Sequence, residues 1–473
     1  MATFSIQNFG CRATDADAAS VRHQLVSQGL TLIDEHSRAD VVVLNTCTVT
    51  AAADAQARDT VRKIHRANPA ARIVVTGCYA QRAPEEVASM PGVSWVIGNS
   101  HQSEISNVIA ESGGPGAIGG SAGRAGALIH LSEIQSDAMS LARGPAKILT
   151  GDIFAQGSLS APTGLVAGDR TRPILKIQDG CDNRCSYCVI PFVRGNSRSL
   201  GPDTVIEQVR ALVVGCTKEG AKEIVLSGIN LGSYGRDLSP RAELAAVVRR
   251  ILDETELEQL RFSSIEPQDV TEDFVGLVAS SHRIAPHFHV PLQSGSNRIL
   301  RAMRRWYRAE HYAERMKLIR AALPDAGIGA DVIVGFPGES DEDFAATVEL
   351  IERLPFTYLH VFSFSPRPGT EAEKFAAPAP GHIVRERARA LRSLSERKSA
   401  EFRASRAGCR MRALTLNRAG ETWTEALTGN YLKVRIAGLH PANEWHDVQL
   451  TGSATDVAVS PSPLSLHSSG GFS

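Results

Sequence analysis

Three cysteines, Cys181, Cys185 and Cys188, stand at C-x3-C-x2-C spacing, which packing alone does not account for. Thiolates this close converge from one loop onto a single soft metal centre. Zinc asks for a fourth protein ligand, normally from a second C-x2-C pair. An iron–sulfur cube held by three thiolates leaves one iron open, which suits a centre that must bind a reactant. The competing readings are a zinc site or three buried thiols.

A second trio is dispersed. The first 112 residues alternate strand and helix: Phe4–Phe9 reads as a strand, Ala16–Gln28 has helical spacing, and Asp40–Leu44 is a short apolar run. A helix begins at Thr50 and stops at Asn68-Pro69, followed by strands at Arg72–Val75 and Trp95–Ile97. Such alternation predicts an open parallel sheet covered by helices. Cys11, Cys47 and Cys78 each follow a strand, at the carboxyl edge where such sheets place ligands. Gly10 and Gly77, just before two of them, let the backbone approach a bulky group. Thr14 is placed to cap the next helix through its hydroxyl. Cysteine as a small buried hydrophobe is the alternative.

These elements serve a larger central unit. Six strand candidates, Ile174–Gln178, Glu223–Leu226, Leu260–Ser264, His287–Val290, Ala330–Val334 and Leu359–Phe364, are separated by helical stretches. That pattern predicts a parallel barrel, complete or partial, with its chemistry on the loops after the strands. The cysteine loop follows the first strand, and Ser227–Asn230 the second. Ile265–Pro267, Pro291–Ser296 and Gly335–Glu339 follow the third to fifth. Arg194 and Arg198, and the set Arg301, Arg304, Arg305 and Arg308 with Trp306 and Tyr307, offer cations beside aromatics, as phosphate contact and base stacking require. Solvated helix faces are the plainer reading of both. Cys216 and Cys409 read as packing residues. Short strand candidates between Arg412 and Thr451, punctuated by glycine and asparagine, predict a small antiparallel barrel.

Gly180–Pro191 resembles the defining motif of the radical S-adenosylmethionine (radical SAM) enzymes. With the dispersed trio and Thr428–Val434, which resembles the RNA-binding TRAM domain, nearly the whole chain resembles the radical SAM methylthiotransferases. Asn45–Thr50, Val75–Gln81 and Gln178–Asn183 are most similar to the branch acting on threonylcarbamoyladenosine in tRNA. Thr14 departs from the asparagine usual there.

The resemblance implies an α/β fold in three parts: an N-terminal open parallel sheet domain (1–112), a partial (β/α)6 radical SAM core (171–395) and a TRAM-like β-barrel (396–460). A linker (113–170) and a disordered tail (461–473) complete the chain. It implies two 4Fe-4S clusters, one on Cys181, Cys185 and Cys188, the other an auxiliary cluster on Cys11, Cys47 and Cys78. S-adenosylmethionine would be contacted by Tyr187, Gly228, Asn230, Gln293, Ser294 and Gly335. No catalytic acid or base is implied beyond the clusters. The implied reaction adds a methylthio group to carbon 2 of N6-threonylcarbamoyladenosine at position 37 in the tRNA anticodon stem-loop. Isopentenyladenosine in tRNA, a ribosomal-protein aspartate, or a non-catalytic RNA-binding metalloprotein are the alternatives. A flavodoxin- or ferredoxin-type electron donor and a sulfur donor are implied partners.

Composition agrees with a reducing interior. Lysine plus arginine equals aspartate plus glutamate at 51 each, so RNA contact must come from local patches. Eight cysteines in so long a chain are no secreted disulfide framework. No signal peptide and no apolar run of the roughly 20 residues a bilayer needs is evident, so a cytoplasmic protein with no membrane contact is expected.

Overall fold

The computed structural model describes residues 2–10, 12–111, 146–159, 171–215, 220–375, 379–451 and 457–458. Cys11, Cys216 and residues 113–145, 160–170 and 461–473 lie outside them.

The apolar run Val41-Val42-Val43-Leu44 forms a strand buried along its whole length, as expected for a sheet covered on both faces. That strand, β3 (Val41–Thr46), lies inside a parallel sheet with β1 (Thr3–Asn8), β2 (Thr31–Leu32), β4 (Arg72–Gly77), β5 (Val93–Gly98) and β6 (Lys147–Leu149), ordered β2-β1-β3-β4-β5-β6. Alternation divides the core. Val42, Leu44, Ile73 and Val75 pack under helix Ala51–Ala67 through Ala57, Val61 and Ile64. Phe4, Val41, Val43 and Val74 pack with Val21 and Leu25 of helix Arg12–Ser27. Thr50 caps Ala51–Ala67 by accepting the Ala53 N–H, and the helix ends at Asn68, where the sequence places its limits. Strand β6 falls within the stretch expected to be linker; its three residues pair in register with Trp95–Ile97.

The six predicted central strands all form. They are β7 (Ile174–Lys176), then, after a short ribbon of β8 (Gln178–Asp179) and β9 (Arg198–Ser199), β10 (Glu223–Ser227), β11 (Gln259–Phe262), β12 (His287–His289), β13 (Gly327–Val334) and β14 (Tyr358–Ser363). Two three-stranded parallel sheets, β11-β10-β7 and β12-β13-β14, are joined by parallel bridges Leu260 to Ile284 and Ser264 to His289. The result is a half-barrel. Leu175, Ile224, Leu226, Leu260, Phe288, Ile328, Ala330 and Leu359 face the covering helices. The intervening positions, Glu223, Arg261, His287, His289, Asp331 and Tyr358, therefore line the lumen.

The N-terminal sheet domain closes the open side. Asp17 pairs with Lys176 on edge strand β7, while Asp54 pairs with Arg367, just beyond edge strand β14. The backbone N–H of Ala51 donates to Ser365 Oγ at 3.0 Å beside that second contact.

Helix Gly381–Ser405 packs Ala388, Leu391 and Leu394 on the barrel core and carries Phe402 to the last sheet. That sheet orders β15 (Arg410–Ala419), β16 (Trp423–Thr428), β17 (Lys433–Ala437), β18 (Trp445–Gln449) and β19 (Val457–Ala458) as β18-β15-β16-β17-β19. Among the described residues its pairs are antiparallel except β17 with β19, and none joins β18 to β19, so the sheet curls into a half-barrel. Its Thr428–Tyr431 turn docks at the amino ends of the barrel strands, where Arg261 donates to the carbonyls of Gly429 (2.8 Å) and Thr428 (3.2 Å).

Candidate active site

The C-x3-C-x2-C loop is pinned from several sides. Cys181 N–H donates to Gly195 O at 3.0 Å, Cys188 N–H to Cys185 O at 3.1 Å, and Ser186 N–H to Met303 O at 3.1 Å. Burial pushes the Cys181 thiol up to about 11 and the Cys188 thiol up to about 12. Thiols are metal ligands in their deprotonated form, so a cationic centre bound by this loop would release protons as it binds. The guanidinium of Arg305 stands 3.4 Å from Cys185 Sγ and pairs with Glu266.

Cys47 and Cys78 sit at neighbouring strand ends, since Thr46 and Gly77 are register partners across β3 and β4. Both are buried. Gly10, directly before Cys11, has φ +124°, and a Cβ there would fall 2.7 Å from Cys47 Cβ. Gly77, at φ +95°, would put a Cβ 2.6 Å from Asn45 Oδ1. Each position therefore admits only glycine without displacement. The sheet edge thus brings Cys47, Cys78 and the residue before Cys11 together. Cys78 also packs on Val189 and Val193, which directly follow the cysteine loop. Asn99 fixes that junction, donating to Val193 O at 2.8 Å with its amide 3.5 Å from Cys78 Sγ. Asp17, Arg194, Asp179 and Lys176 form a buried ion cluster across the same interface.

The expected cofactor contacts divide. Gly228 packs so closely that a Cβ would meet Gln178 Oε1 at 2.7 Å. That oxygen accepts the Asn230 N–H, and Asn230 Oδ1 is buried without a hydrogen-bond partner. An orphaned acceptor beside a thiol loop fits the ammonium or amide of a bound ligand. Gln293 adopts φ 66°, uncommon for glutamine, and its side-chain amide makes no hydrogen bond among the described residues. Tyr187 packs edge-on to Phe336 at 6.5 Å between ring centroids. Gly335 gives its N–H to Glu339 Oε2 at 2.7 Å, so what it offers a ligand is shape. The Ser294 hydroxyl is buried, lies 3.3 Å from Thr347 Oγ1 and accepts from Ser296 N–H. It holds a turn.

Other expectations require correction. Thr14 is the third residue of helix Arg12–Ser27 and not its cap; its hydroxyl accepts weakly from Asn8 at 3.5 Å. Arg194 and Arg305 are nearly inaccessible, at 2% and 5% side-chain exposure, and spend their charge on internal carboxylates. Arg198 is buried too, and donates to the Arg194 carbonyl. Tyr307 is buried with its hydroxyl on Leu292 O, whereas Trp306 is 76% exposed. Glu339, at the end of the loop after the fifth strand, is buried against Arg387.

Sequence reading missed the lumen ladder. His289 Nε2 and His360 Nδ1 meet Asp331 Oδ1 at 2.9 and 3.2 Å, and Tyr358 OH bridges His289 to His287 at 3.1 and 2.9 Å. The His287-Phe288-His289 alternation was the available signal, since period two puts both rings on one face.

The half-barrel with its thiol loop defines the class. Residues 175–351 match the Radical SAM superfamily, and residues 3–98 match the Uncharacterized protein family UPF0004. The chain is similar to the threonylcarbamoyladenosine tRNA methylthiotransferase MtaB of Aquifex aeolicus, at 35% identity over 92% of this chain and 96% of that protein. It is 33% identical to MtaB of Bacillus subtilis over 93% of this chain and 91% of the relative. The tRNA-2-methylthio-N(6)-dimethylallyladenosine synthase of Thermobifida fusca is also 33% identical, over 88% of this chain and 78% of its own. Among solved structures, the radical S-adenosylmethionine methyltransferase TsrM from Kitasatospora setae superposes with TM-score 0.55 at 15% identity, covering 79% of this chain and 77% of that one. The chain belongs to the MtaB-type family of radical SAM methylthiotransferases.

Proposed function

We propose that this enzyme adds a methylthio group to carbon 2 of N6-threonylcarbamoyladenosine at position 37 of tRNA. Cys181, Cys185 and Cys188 hold one 4Fe-4S cluster, and Cys11, Cys47 and Cys78 hold the auxiliary one. Bound there, the first cluster with one S-adenosylmethionine would supply a 5′-deoxyadenosyl radical able to take hydrogen from carbon 2, the second cluster would supply the sulfur, and a second S-adenosylmethionine would supply the methyl group. The chain's own residues orient and exclude water. Asn230 offers its buried carbonyl oxygen to the amino-acid end of S-adenosylmethionine, with Gly228 clearing the space. Tyr187 and Gly335 shape the adenine side, Gln293 presents a free amide, and Ser294 holds the turn between them.

The observation that supports this reading is the packing of Cys78 on Val189 and Val193, which sets one thiol of the N-terminal sheet edge against the segment that follows the cysteine loop. Single-cluster chemistry needs no such junction. The C-terminal sheet and the exposed Trp306 with Arg301 and Arg308 are the surfaces offered to the anticodon stem-loop. A flavodoxin- or ferredoxin-type protein delivers electrons, a separate donor restores sulfur, and the cytoplasm is the setting. Among the described residues no helix is long and apolar enough to cross a membrane. Mass spectrometry of tRNA nucleosides from a deletion strain tests the proposal: 2-methylthio-threonylcarbamoyladenosine disappears and its unmethylthiolated precursor accumulates. Loss of the isopentenyl derivative instead would move the substrate to the other branch.

A further inference from the structure

A cavity of about 290 Å³ opens at the amino end of the barrel lumen, where the N-terminal domain, β7, β10 and the C-terminal sheet meet. Arg12, Arg172, Val225, Arg418, Glu425 and Tyr431 are among its lining residues. Most of its cations are answered. Arg172 lies 3.0 Å from Glu223, which also serves Arg261, and Arg418 lies 3.6 Å from Glu425. Arg12 meets no carboxylate among the described residues and donates instead to the Tyr431 hydroxyl, at a long 3.4 Å. One shared glutamate between two arginines, plus Arg12, leaves the cavity with surplus positive charge.

Tyr431 is held rigidly behind Arg12. Its backbone is left-handed at φ 72°, its ring stacks on His287 at 4.2 Å, and the Arg261 guanidinium sits 5.4 Å from its centroid. Two groups register the field. Burial works to raise the Tyr431 phenol, yet Arg12 and Arg172 outweigh it and hold it below its ordinary value. Burial, then Arg261 and Arg12, keep His287 neutral, well below its usual range.

We propose that Arg12, backed by Tyr431, forms an oxyanion subsite that takes the carboxylate on the N6 group of the substrate base. The inference rests on the threonylcarbamoyladenosine reading above. A guanidinium pairs a carboxylate through two parallel hydrogen bonds, more specifically than a point charge does. Arg12 directly follows Cys11, so it starts from the same sheet edge as the thiols at Cys47 and Cys78. On adenine, carbon 2 and N6 flank N1 on one edge. A base with carbon 2 turned to the thiol-bearing edge therefore carries its N6 group toward the neighbouring residue. Isopentenyl has no charge to place there. An RNA phosphate is the other source of such an anion, and the test separates the two.

The reconstituted holoenzyme is offered three anticodon stem-loops identical except at position 37: adenosine, threonylcarbamoyladenosine, and its threonyl methyl ester. Wild type binds the free acid about tenfold more tightly, or better, than either of the others. Arg12→Gln collapses that preference toward unity, and Arg12→Lys keeps part of it. The ester comparison uses wild type alone, so it stands even where a variant folds poorly. Equal wild-type affinity for acid and ester overturns the subsite, as does uniform weakening of all three RNAs by Arg12→Gln, the mark of a phosphate contact. Methylthio product on the acid with no ester effect overturns the subsite alone. Product on an isopentenyl stem-loop and none on the acid overturns the functional reading and the subsite with it.

Discussion

The side-chain amide of Asn99 donates to the carbonyl of Val193 at 2.8 Å, tying the end of the N-terminal sheet to the helix that follows the cysteine loop. The same amide lies 3.5 Å from Cys78 Sγ. Asn99→Ala is therefore expected to uncouple the two halves of the site. S-adenosylmethionine cleavage should continue while methylthio product per cleavage falls severalfold. Deoxyadenosine and modified nucleoside, quantified in the same reaction, check this; an unchanged ratio rejects the positioning role.

Arg194 sits between two carboxylates from different domains, 2.7 Å from Asp17 and 3.0 Å from Asp179. Burial alone would raise the Asp179 carboxyl, but Arg194 and Lys176 outweigh it and hold it well below the usual carboxylate range. A depressed folded-state value means that the stabilisation is complete above the ordinary value near 4 and lost as pH falls beneath it. Arg194→Gln leaves buried charge unpaired and should cost about 3–5 kcal/mol. Acid unfolding followed by circular dichroism should move to higher pH in the variant. Coincident acid transitions would contradict the assignment.

Arg305 places a buried cation 3.4 Å from Cys185 Sγ. Positive charge beside a cluster favours its reduced, more negative state, so Arg305→Met should shift the potential of that cluster to more negative values. Electron paramagnetic resonance during a redox titration reads the shift. A potential that rises or stays put would show that Glu266 already cancels the guanidinium.

Trp306 is 76% exposed beside Arg301 and Arg308. As a stacking platform for an unpaired base it contributes about 1–3 kcal/mol. Trp306→Ala should thus weaken tRNA binding about tenfold in a filter-binding assay, with S-adenosylmethionine affinity unaltered. Equal tRNA affinity would return this patch to ordinary solvated surface.

Much of this was legible because its signals are local. The spacing of Cys181, Cys185 and Cys188 needs no tertiary knowledge, and short apolar runs separated by helical stretches mark all six barrel strands. The carboxyl-edge placement of Cys47 and Cys78 follows from strand ends alone. Long-range electrostatics were not legible. Arg194 and Arg305 look like surface cations in sequence, because their carboxylates come from elsewhere: Asp17 lies 177 residues away from one, and Glu266 39 from the other. Strand β6 escaped notice since three residues, Lys147–Leu149, carry too little periodicity; its edge position in the sheet defines it. The Thr14 hydroxyl was misplaced because the helix begins at Arg12, one turn earlier than its apolar pattern.

Iron content of the anaerobically reconstituted Cys181→Ala/Cys185→Ala/Cys188→Ala variant tests most directly whether six sulfurs grip two independent cubes. The account predicts half the wild-type iron and sulfide, roughly four irons per chain, retained on Cys11, Cys47 and Cys78. Complete loss of iron, or a full wild-type complement, would contradict it.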